Sequence, residues 1–171
     1  MYAGALYQKY GVDLIVESFK KTRENCQLWL FGSGDYEEQI AEAAKNDPHI
    51  RFFGRVSRED VLRYEKKATL LLNLRNADDD YTKYSFPSKM VEYMLSGTPL
   101  LTSELEGIPS EYYSYCYVIN DRDAQSVAKE IDRILHIDGL AAVGNGAASY
   151  IKKHKNCVVQ TERILNFMKS I

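Results

Sequence analysis

The chain has 171 residues, which is enough for one well-packed α/β domain and too few for two domains of ordinary size. Its 22 Lys and Arg residues nearly balance 24 Asp and Glu residues, so the charge pattern argues against nucleic-acid binding and against a polybasic membrane-binding surface. No apolar stretch approaches the roughly 18 residues of a membrane span, and the start lacks the regions of a signal peptide. We therefore expect one cytoplasmic domain over residues 1–171, with no membrane span.

Segments with the apolar patterns of strands and helices alternate along the chain. Predicted strands cover residues 2–6, 27–31, 50–56, 69–74, 100–102 and 115–119. Predicted helices begin near residues 11, 35, 57, 87 and 124, and the tail 139–171 is mostly helical. Helical connections of this length join parallel strands. We predict an α/β fold: a doubly wound, mainly parallel six-stranded Rossmann-like sheet with helices on both faces and a helical C-terminal tail.

Residues 85–99 (SFPSKMVEYMLSGTP) are the most informative stretch. Proline is tolerated in the first helical turn and glycine commonly follows a helix end, so Pro87 and Gly97 predict a helix over residues 87–96. At about 100° per residue, the helix has an apolar and a polar arc. The apolar arc contains Met90, Val91, Met94 and Leu95, and the polar arc contains Ser88, Lys89, Glu92 and Ser96.

The polar arc suits a phosphorylated ligand. Lys89 lies in the first turn, where the helix dipole is already positive, so a second positive group there makes sense if an anion binds. Glu92, one turn further on, is placed to accept hydrogen bonds from sugar hydroxyls on the same face. Phosphate at the helix start and ribose beside it describe a nucleotide. The alternative is that the polar arc is only the solvated face of an amphipathic helix.

Arg75 follows the continuous apolar strand 69–74 and so lies at the carboxyl edge of the predicted sheet, where such folds bind ligands. Its guanidinium suits a diphosphate, because the fork can bind two oxygens at once; a surface ion pair with the run Asp78–Asp80 is the alternative. Consecutive acidic side chains in a loop rarely converge on one ion, so we interpret that run as solvated and predict no metal site.

Other nucleotide-binding motifs are missing. The first strand–helix turn, residues 4–11, is not G-x-G-x-x-G, and the chain contains no P-loop, which disfavours nicotinamide-dependent and ATPase functions. The Gly32-Ser33-Gly34 sequence is a fragment of a phosphate-loop pattern, and a tight turn between a strand and a helix is the favoured interpretation. A phosphoacceptor receiver-type domain is also disfavoured, because Leu6 and Tyr7 stand where its acidic residues would be expected.

Five segments of the chain follow one another with a recognisable order and spacing. They are residues 2–6 (YAGAL), 10–15 (YGVDLI), 28–34 (LWLFGSG), 50–56 (IRFFGRV) and 86–99 (FPSK through Glu92 to GTP). Together they resemble the nucleotide-sugar-binding half of family-four retaining glycosyltransferases. The Pro-Ser-Lys form is similar to the branch associated with bacterial capsule, O-antigen and exopolysaccharide synthesis.

The resemblance implies a GT-B architecture with two facing Rossmann-like domains. This chain resembles the C-terminal donor domain, so an N-terminal acceptor domain would be a missing partner and would carry any membrane association on the cytoplasmic face. The implied reaction transfers a sugar from a nucleoside-diphosphate sugar, with UDP or GDP as the expected nucleotide, to a polysaccharide, lipid-linked or similar acceptor. Transfer would proceed with retention and would need no metal or other cofactor.

The resemblance also implies site residues. Glu92 would bind the ribose hydroxyls, backbone amides at residues 86–89 the diphosphate, and the turn 54–57 the base. The candidate donor-binding residues are Gly4, Lys9, Val56, Arg58, Tyr84, Phe86, Ser88, Lys89 and Glu92. The candidate catalytic residues are Arg75, Lys89 and Glu92.

Three departures from the family pattern keep a second hypothesis open. Ala5 and Tyr10 replace an Arg and a Lys that contact phosphate, and Tyr84 replaces a Glu that contacts the donor sugar. Lys9, Arg75 and Lys89 are candidates to restore the lost positive charge. The alternative is a degenerate, non-catalytic Rossmann-like domain that binds a nucleotide or a protein partner.

Overall fold

The computed structural model describes residues 1–170. Its strands are β1 (Tyr2–Ala3), β2 (Leu28–Phe31), β3 (Ile50–Phe52), β4 (Leu71–Asn73), β5 (Leu100–Thr102) and β6 (Tyr117–Val118). Its α-helices are α1 (Val12–Phe19), α2 (Glu37–Asn46), α3 (Arg58–Glu65), α4 (Asp80–Lys83), α5 (Ser88–Ser96), α6 (Ala124–Leu135), α7 (Leu140–His154) and α8 (Cys157–Lys169). The predicted alternation of strands and helices is confirmed.

The strands are parallel and form two three-stranded sheets, in the orders β1-β2-β3 and β4-β5-β6. The edges of β1 and β4 are joined at Met1, whose amino group donates to the Leu70 carbonyl (2.8 Å) and whose carbonyl accepts from the Leu72 N–H (3.0 Å). A single six-stranded sheet is therefore not confirmed. Within residues 1–170 these Met1 hydrogen bonds connect the two sheets, and no regular strand pairing joins β1 to β4.

Several predicted strands are shorter in the structure. The chain leaves β1 after Ala3 rather than after residue 6, and β3 ends at Phe52 rather than at residue 56. Residues 110–115 form a 3₁₀-helix (Ser110–Tyr115), so β6 is confined to Tyr117–Val118. The polar connection after β4 contains the short helix α4. The helical tail is confirmed as α7 and α8, whereas Ile171 lies outside the described residues.

Side chains from alternate strand positions fill two apolar clusters, one on each face of the sheets. Leu30 and Leu72 point into the cluster that α1 and α6 cover. Their neighbours Phe31 and Leu71 point into the opposite cluster, which α5 and α7 cover. The alternation follows from the two-residue period of a strand and confirms that helices cover both faces.

Helix α5 has the predicted ends but a different buried face. Pro87 is its N-cap, and Gly97 ends it in the left-handed conformation (φ 82°) that glycine adopts without strain. Tyr93 is completely buried, whereas Leu95, predicted to be in the core, is 39% exposed. The Tyr93 hydroxyl accepts a hydrogen bond from the Ala3 N–H (2.8 Å) and donates to the Ala3 carbonyl (3.1 Å). These bonds to β1 explain the shift, because they turn position 93 towards the sheet. No helix within residues 1–170 is long and apolar enough to cross a membrane.

Candidate functional site

The candidate site lies where strand order reverses, between β1 and β4. Open α/β sheets bind ligands beyond the carboxyl ends of the strands at such a point. A cavity of about 720 Å³ opens here between the end of β1, α3 and α5. A second cavity of about 600 Å³ adjoins it across Gly4, Arg58 and Glu92 and extends to Ser33 and Val56. The two cavities bring together six of the predicted residues: Gly4, Val56, Arg58, Ser88, Lys89 and Glu92.

Lys89 lines the first cavity together with the cationic residues Arg58 and Lys66. Its ammonium lies 3.6 Å from the centroid of the Tyr2 ring and 5.9 Å from that of Tyr93, an arrangement typical of cation–π contacts. Burial lowers the pKa of Lys89 to about 7, and the nearby Arg75 guanidinium lowers it as well, while the Glu92 and Glu65 carboxylates act in the opposite direction. An anion bound beside Lys89 would favour its charged form.

Gly4 leaves room for the Lys89 ammonium. Its backbone has φ +143°, a conformation that residues with a Cβ rarely adopt, and its N–H donates to the Phe31 carbonyl (2.9 Å). A Cβ at this position would collide with the end of the Lys89 side chain. The glycine that follows β1 therefore allows the Lys89 side chain to lie directly against the backbone, because it has no Cβ in the way.

Glu92 and Arg58 face each other across the cavity. The Arg58 guanidinium lies 3.4 Å from a Glu92 carboxylate oxygen, and the Arg58 side chain is 82% exposed. An ion pair with so exposed a partner contributes little to stability. Both side chains are therefore free to exchange this contact for a ligand. Within residues 1–170 no side-chain cap is found at the N-terminus of α5, and its Met90 N–H donates to the Pro87 carbonyl (2.9 Å), so the N–H groups of Ser88 and Lys89 are the ones that face an acceptor there.

Glu65, the last residue of α3, is a functional candidate that the sequence did not reveal. Its side chain is 0% exposed, and neither carboxylate oxygen has a hydrogen-bond donor within residues 1–170. Burial raises the pKa of Glu65 to about 7, and the neighbouring Glu92 carboxylate raises it further, while Lys89 and Arg58 oppose the change. Nothing in the sequence separates Glu65 from the exposed charged residues of α3, because only the packing of α3 near α5 buries it.

Arg75 and Lys9 lie outside the linings of both cavities. The Arg75 guanidinium carbon is 4.5 Å from the centroid of the Tyr10 ring, and the Lys9 ammonium is 5.3 Å from the same centroid. Tyr10, which stands where the resemblance expects a phosphate-binding Lys, thus carries two cations against its ring. Within residues 1–170 no ion pair joins Arg75 to an acidic side chain, so the alternative of a pair with Asp78–Asp80 is wrong. The Arg75 Nε is buried without an acceptor among the same residues.

Tyr84 and Phe86 also lie apart from the cavities. Tyr84 is 89% exposed, and the Phe86 ring packs against Tyr112 with 5.1 Å between centroids. The aromatic partner from the 110–115 helix explains the direction of Phe86. Ser33, in the sequence for which a tight turn was favoured over a phosphate loop, lines the second cavity.

A separate cavity of about 360 Å³ lies at the opposite edge of the sheets, near the start of β2 and β4. Its walls include Phe19, Cys26, Leu28 and Leu135, and they are largely apolar. Such a lining does not suit a phosphorylated ligand, so the charged site at the carboxyl edge is the candidate for function.

Parallel strands, helices on both faces and a cationic cavity at the reversal of strand order define a Rossmann-like ligand-binding domain. The model of the family described as "Glycosyl transferases group 1" matches residues 1–136. The chain belongs to this family, and the recognition of a family-four GT-B glycosyltransferase domain from its five segments is confirmed.

Individual relatives agree with this assignment. The amylovoran biosynthesis glycosyltransferase AmsK of Erwinia amylovora is 27% identical over 139 residues, which are 75% of this chain and 34% of AmsK. Anabaena HepE, solved in complex with UDP, has a TM-score of 0.80 at 16% identity, over 99% of this chain and 49% of HepE. WaaG, a glycosyltransferase involved in lipopolysaccharide biosynthesis, has a TM-score of 0.71 at 21% identity, over 89% of this chain and 42% of WaaG. The chain thus spans between a third and a half of these relatives.

Proposed function

We propose that this chain is the donor domain of a glycosyltransferase and binds a nucleoside-diphosphate sugar in the carboxyl-edge cavities. The observation that carries the proposal is the meeting of Lys89 and Glu92 in one cavity at the reversal of strand order. A cation and an acceptor carboxylate one helical turn apart match the diphosphate and the ribose of a nucleotide. Family membership supports the same chemistry.

The two cavities bind different parts of the nucleotide-sugar donor. The diphosphate lies against the Lys89 ammonium and the N-terminus of α5, and the ribose diol donates to Glu92. The second cavity, bordered by Val56 and Ser33, takes the base. Charge that develops on the leaving diphosphate is stabilised by a fixed ammonium and helix N–H groups, which act best in a partly dehydrated site. UDP is the first nucleotide to test, because HepE was solved with UDP.

The relatives support a proposal for the rest of the enzyme. An N-terminal GT-B domain completes the site and binds the acceptor, since this chain spans 49% of HepE and 34% of AmsK. Transfer occurs with retention, on the cytoplasmic side, and without a metal. The acceptor belongs to a bacterial surface polysaccharide or a lipid-linked precursor, as the names of AmsK and WaaG suggest.

A non-catalytic nucleotide-binding domain is the second candidate, and one observation favours it. Tyr84, which stands where the family has a sugar-binding Glu, is 89% exposed and lies outside both cavities. No carboxylate at that position is then left to hold the donor sugar. The two candidates agree on the nucleotide and differ on the sugar.

Calorimetric titration of the chain with UDP, GDP and ADP tests nucleotide binding, and UDP-sugars added in the same series separate the candidates. We expect one nucleoside diphosphate to bind, with the same affinity after chelation of divalent cations. Tighter binding of a nucleotide sugar than of its diphosphate would support the donor domain, and equal binding would support the non-catalytic candidate.

A transferase assay supplies the complementary test. The chain alone should release no sugar to an acceptor, because the acceptor domain is separate. Sugar transfer by this chain alone would contradict the two-domain proposal, and a failure of all three nucleotides to bind would contradict nucleotide recognition altogether.

A further inference from the structure

The carboxyl group of Glu65 is buried, and within the described part of the chain it has no hydrogen-bond donor. The backbone of Glu65 is fixed at the end of α3, because the Thr98 hydroxyl donates a hydrogen bond to the backbone carbonyl of Glu65 (2.7 Å). The side chain is fully buried, yet no N–H or O–H group within residues 1–170 reaches either carboxylate oxygen. Buried carboxylates normally have such donors, because an ionised group without them loses its hydration and gains nothing in return.

One neighbour of the Glu65 side chain is another acid, Glu92. The Glu92 side chain lies within hydrogen-bonding range of it, and two ionised carboxylates cannot bond to each other. The other titratable groups that face Glu65 are Lys89 and Tyr93 from α5 and Arg58 from α3. One proton held between the two carboxyl groups removes both problems, because it gives Glu65 a partner and leaves a single negative charge for the two cations to balance.

We propose that Glu65 is a positioning residue for the donor site: its protonated carboxyl donates a hydrogen bond to the Glu92 carboxylate and fixes that carboxylate for a ribose diol. The inference rests on the proposed nucleotide-sugar binding. Glu65 does not touch the ligand; it restricts the rotamers of Glu92. The remaining acceptor positions of Glu92 are then left for the two ribose hydroxyls and for Arg58.

The shared proton makes ribose recognition depend on pH. Burial raises the pKa of Glu65 to about 7, so the acid loses its proton as the pH rises through the neutral range. The two carboxylates then repel each other, and Glu92 loses the donor that fixes it. The pKa of Lys89 is lowered to about 7 by burial, so phosphate binding weakens over the same range. A test must therefore cancel the phosphate contribution.

The proton itself can be observed without a ligand. Carbon-13 NMR of glutamate side-chain carboxyl groups, recorded from pH 4 to pH 9, should show one signal with an inflection near neutral pH. That signal should be absent in Glu65→Gln and present in Glu59→Gln, a matched control because Glu59 is an exposed residue of the same helix. Glutamate signals of the wild type that all titrate in the ordinary acidic range would overturn the proposal, whatever the variants do.

Ribose recognition is measured as the ratio of the dissociation constants of 2′-deoxy-UDP and UDP. Both probes carry the same diphosphate, so the titration of Lys89 cancels in the ratio. In the wild type this ratio should fall between pH 6 and pH 8, by up to about tenfold if only the protonated pair recognises the diol.

Two substitutions of Glu65 separate positioning from a merely structural role. Glu65→Gln keeps a hydrogen-bond donor that does not titrate, so the ratio of dissociation constants should stay high at both pH values. Glu65→Met has no donor, so its ratio should be low at both pH values. A wild-type ratio that does not change with pH, or equal profiles for the wild type and Glu65→Gln, would overturn the positioning role. If wild-type protein bound no UDP, nucleotide recognition would fail with it, while the NMR titration would still decide whether the proton is shared.

Discussion

Replacing Lys89 by methionine should stabilise the ligand-free domain and weaken nucleotide binding. Methionine keeps the length of the side chain and removes the charge that burial makes unfavourable. The pKa of Lys89 is lowered from 10.5 to about 7, mainly by burial. At about 1.4 kcal/mol per pH unit, this change corresponds to at most roughly 5 kcal/mol of folding free energy. Because Lys89 is only half-buried, water screens part of this cost, and we expect a gain of about 1–2 kcal/mol at pH 6.

The gain should depend on pH with a defined sign. Below pH 7 Lys89 is charged in both the folded and the unfolded chain, so the wild type carries the full cost of burying the charge. As the pH rises from about 7 towards 10.5, the folded chain holds fewer protons than the unfolded chain, and the wild type becomes relatively more stable. The advantage of Lys89→Met should therefore be largest at pH 6 and smaller at pH 9.

The affinity for UDP should change in the opposite direction. Hydrogen bonds to charged groups contribute roughly 1.5–3 kcal/mol, which corresponds to a loss of about tenfold or more. Urea unfolding at pH 6 and pH 9 and calorimetric titration with UDP measure the two effects. Lys129→Met, on the exposed side of α6, is the matched control and should change neither.

Two results would refute this reasoning. The first is a Lys89→Met variant that is less stable than the wild type at pH 6, or that exceeds the wild type in free energy of unfolding by the same amount at pH 6 and pH 9. Either outcome would mean that burying the Lys89 charge does not destabilise the folded chain. Unchanged UDP affinity would remove Lys89 from the phosphate site.

Three further predictions concern the neighbours of Lys89. Glu92→Gln should lower UDP affinity by about tenfold or more, since a charged acceptor is lost; unchanged affinity would remove Glu92 from the ribose site. Gly4→Ala should lower the free energy of unfolding in urea by about 1–3 kcal/mol, because φ +143° disfavours a Cβ. It should also weaken UDP binding by displacing Lys89. A variant as stable as the wild type would argue against a positive φ at residue 4. The raised pKa of Glu65 should make the free energy of unfolding of the wild type fall as the pH rises from 4.5 to about 7, because the folded chain holds an extra proton over that range. Glu65→Gln should lack this fall. Parallel pH profiles of the two proteins would contradict the raised pKa.

Local signals in the sequence determined the elements and their ends. Pro87 and Gly97 bound the central helix to within one residue, and Ser57 caps α3 by accepting from the Asp60 N–H (3.1 Å). The apolar run before Arg75 is buried along all of β4, as its composition predicted. These features depend on residues a few positions apart, so the chain itself is sufficient to specify them.

The directions of individual side chains were decided by partners far away in the sequence. Tyr93 points inward because its hydroxyl hydrogen-bonds to the backbone of Ala3. Arg75 lies against the Tyr10 ring and not beside the acidic run 78–80. Glu65 belongs to the site only because α3 ends against α5 and buries it beside Glu92. A helical repeat gives the angle between residues of one helix, but it does not say which segment packs against each face. The sequence therefore identified the helix that carries the site, and only tertiary packing placed the buried Glu65 carboxyl group beside the cavity that Lys89 and Glu92 line.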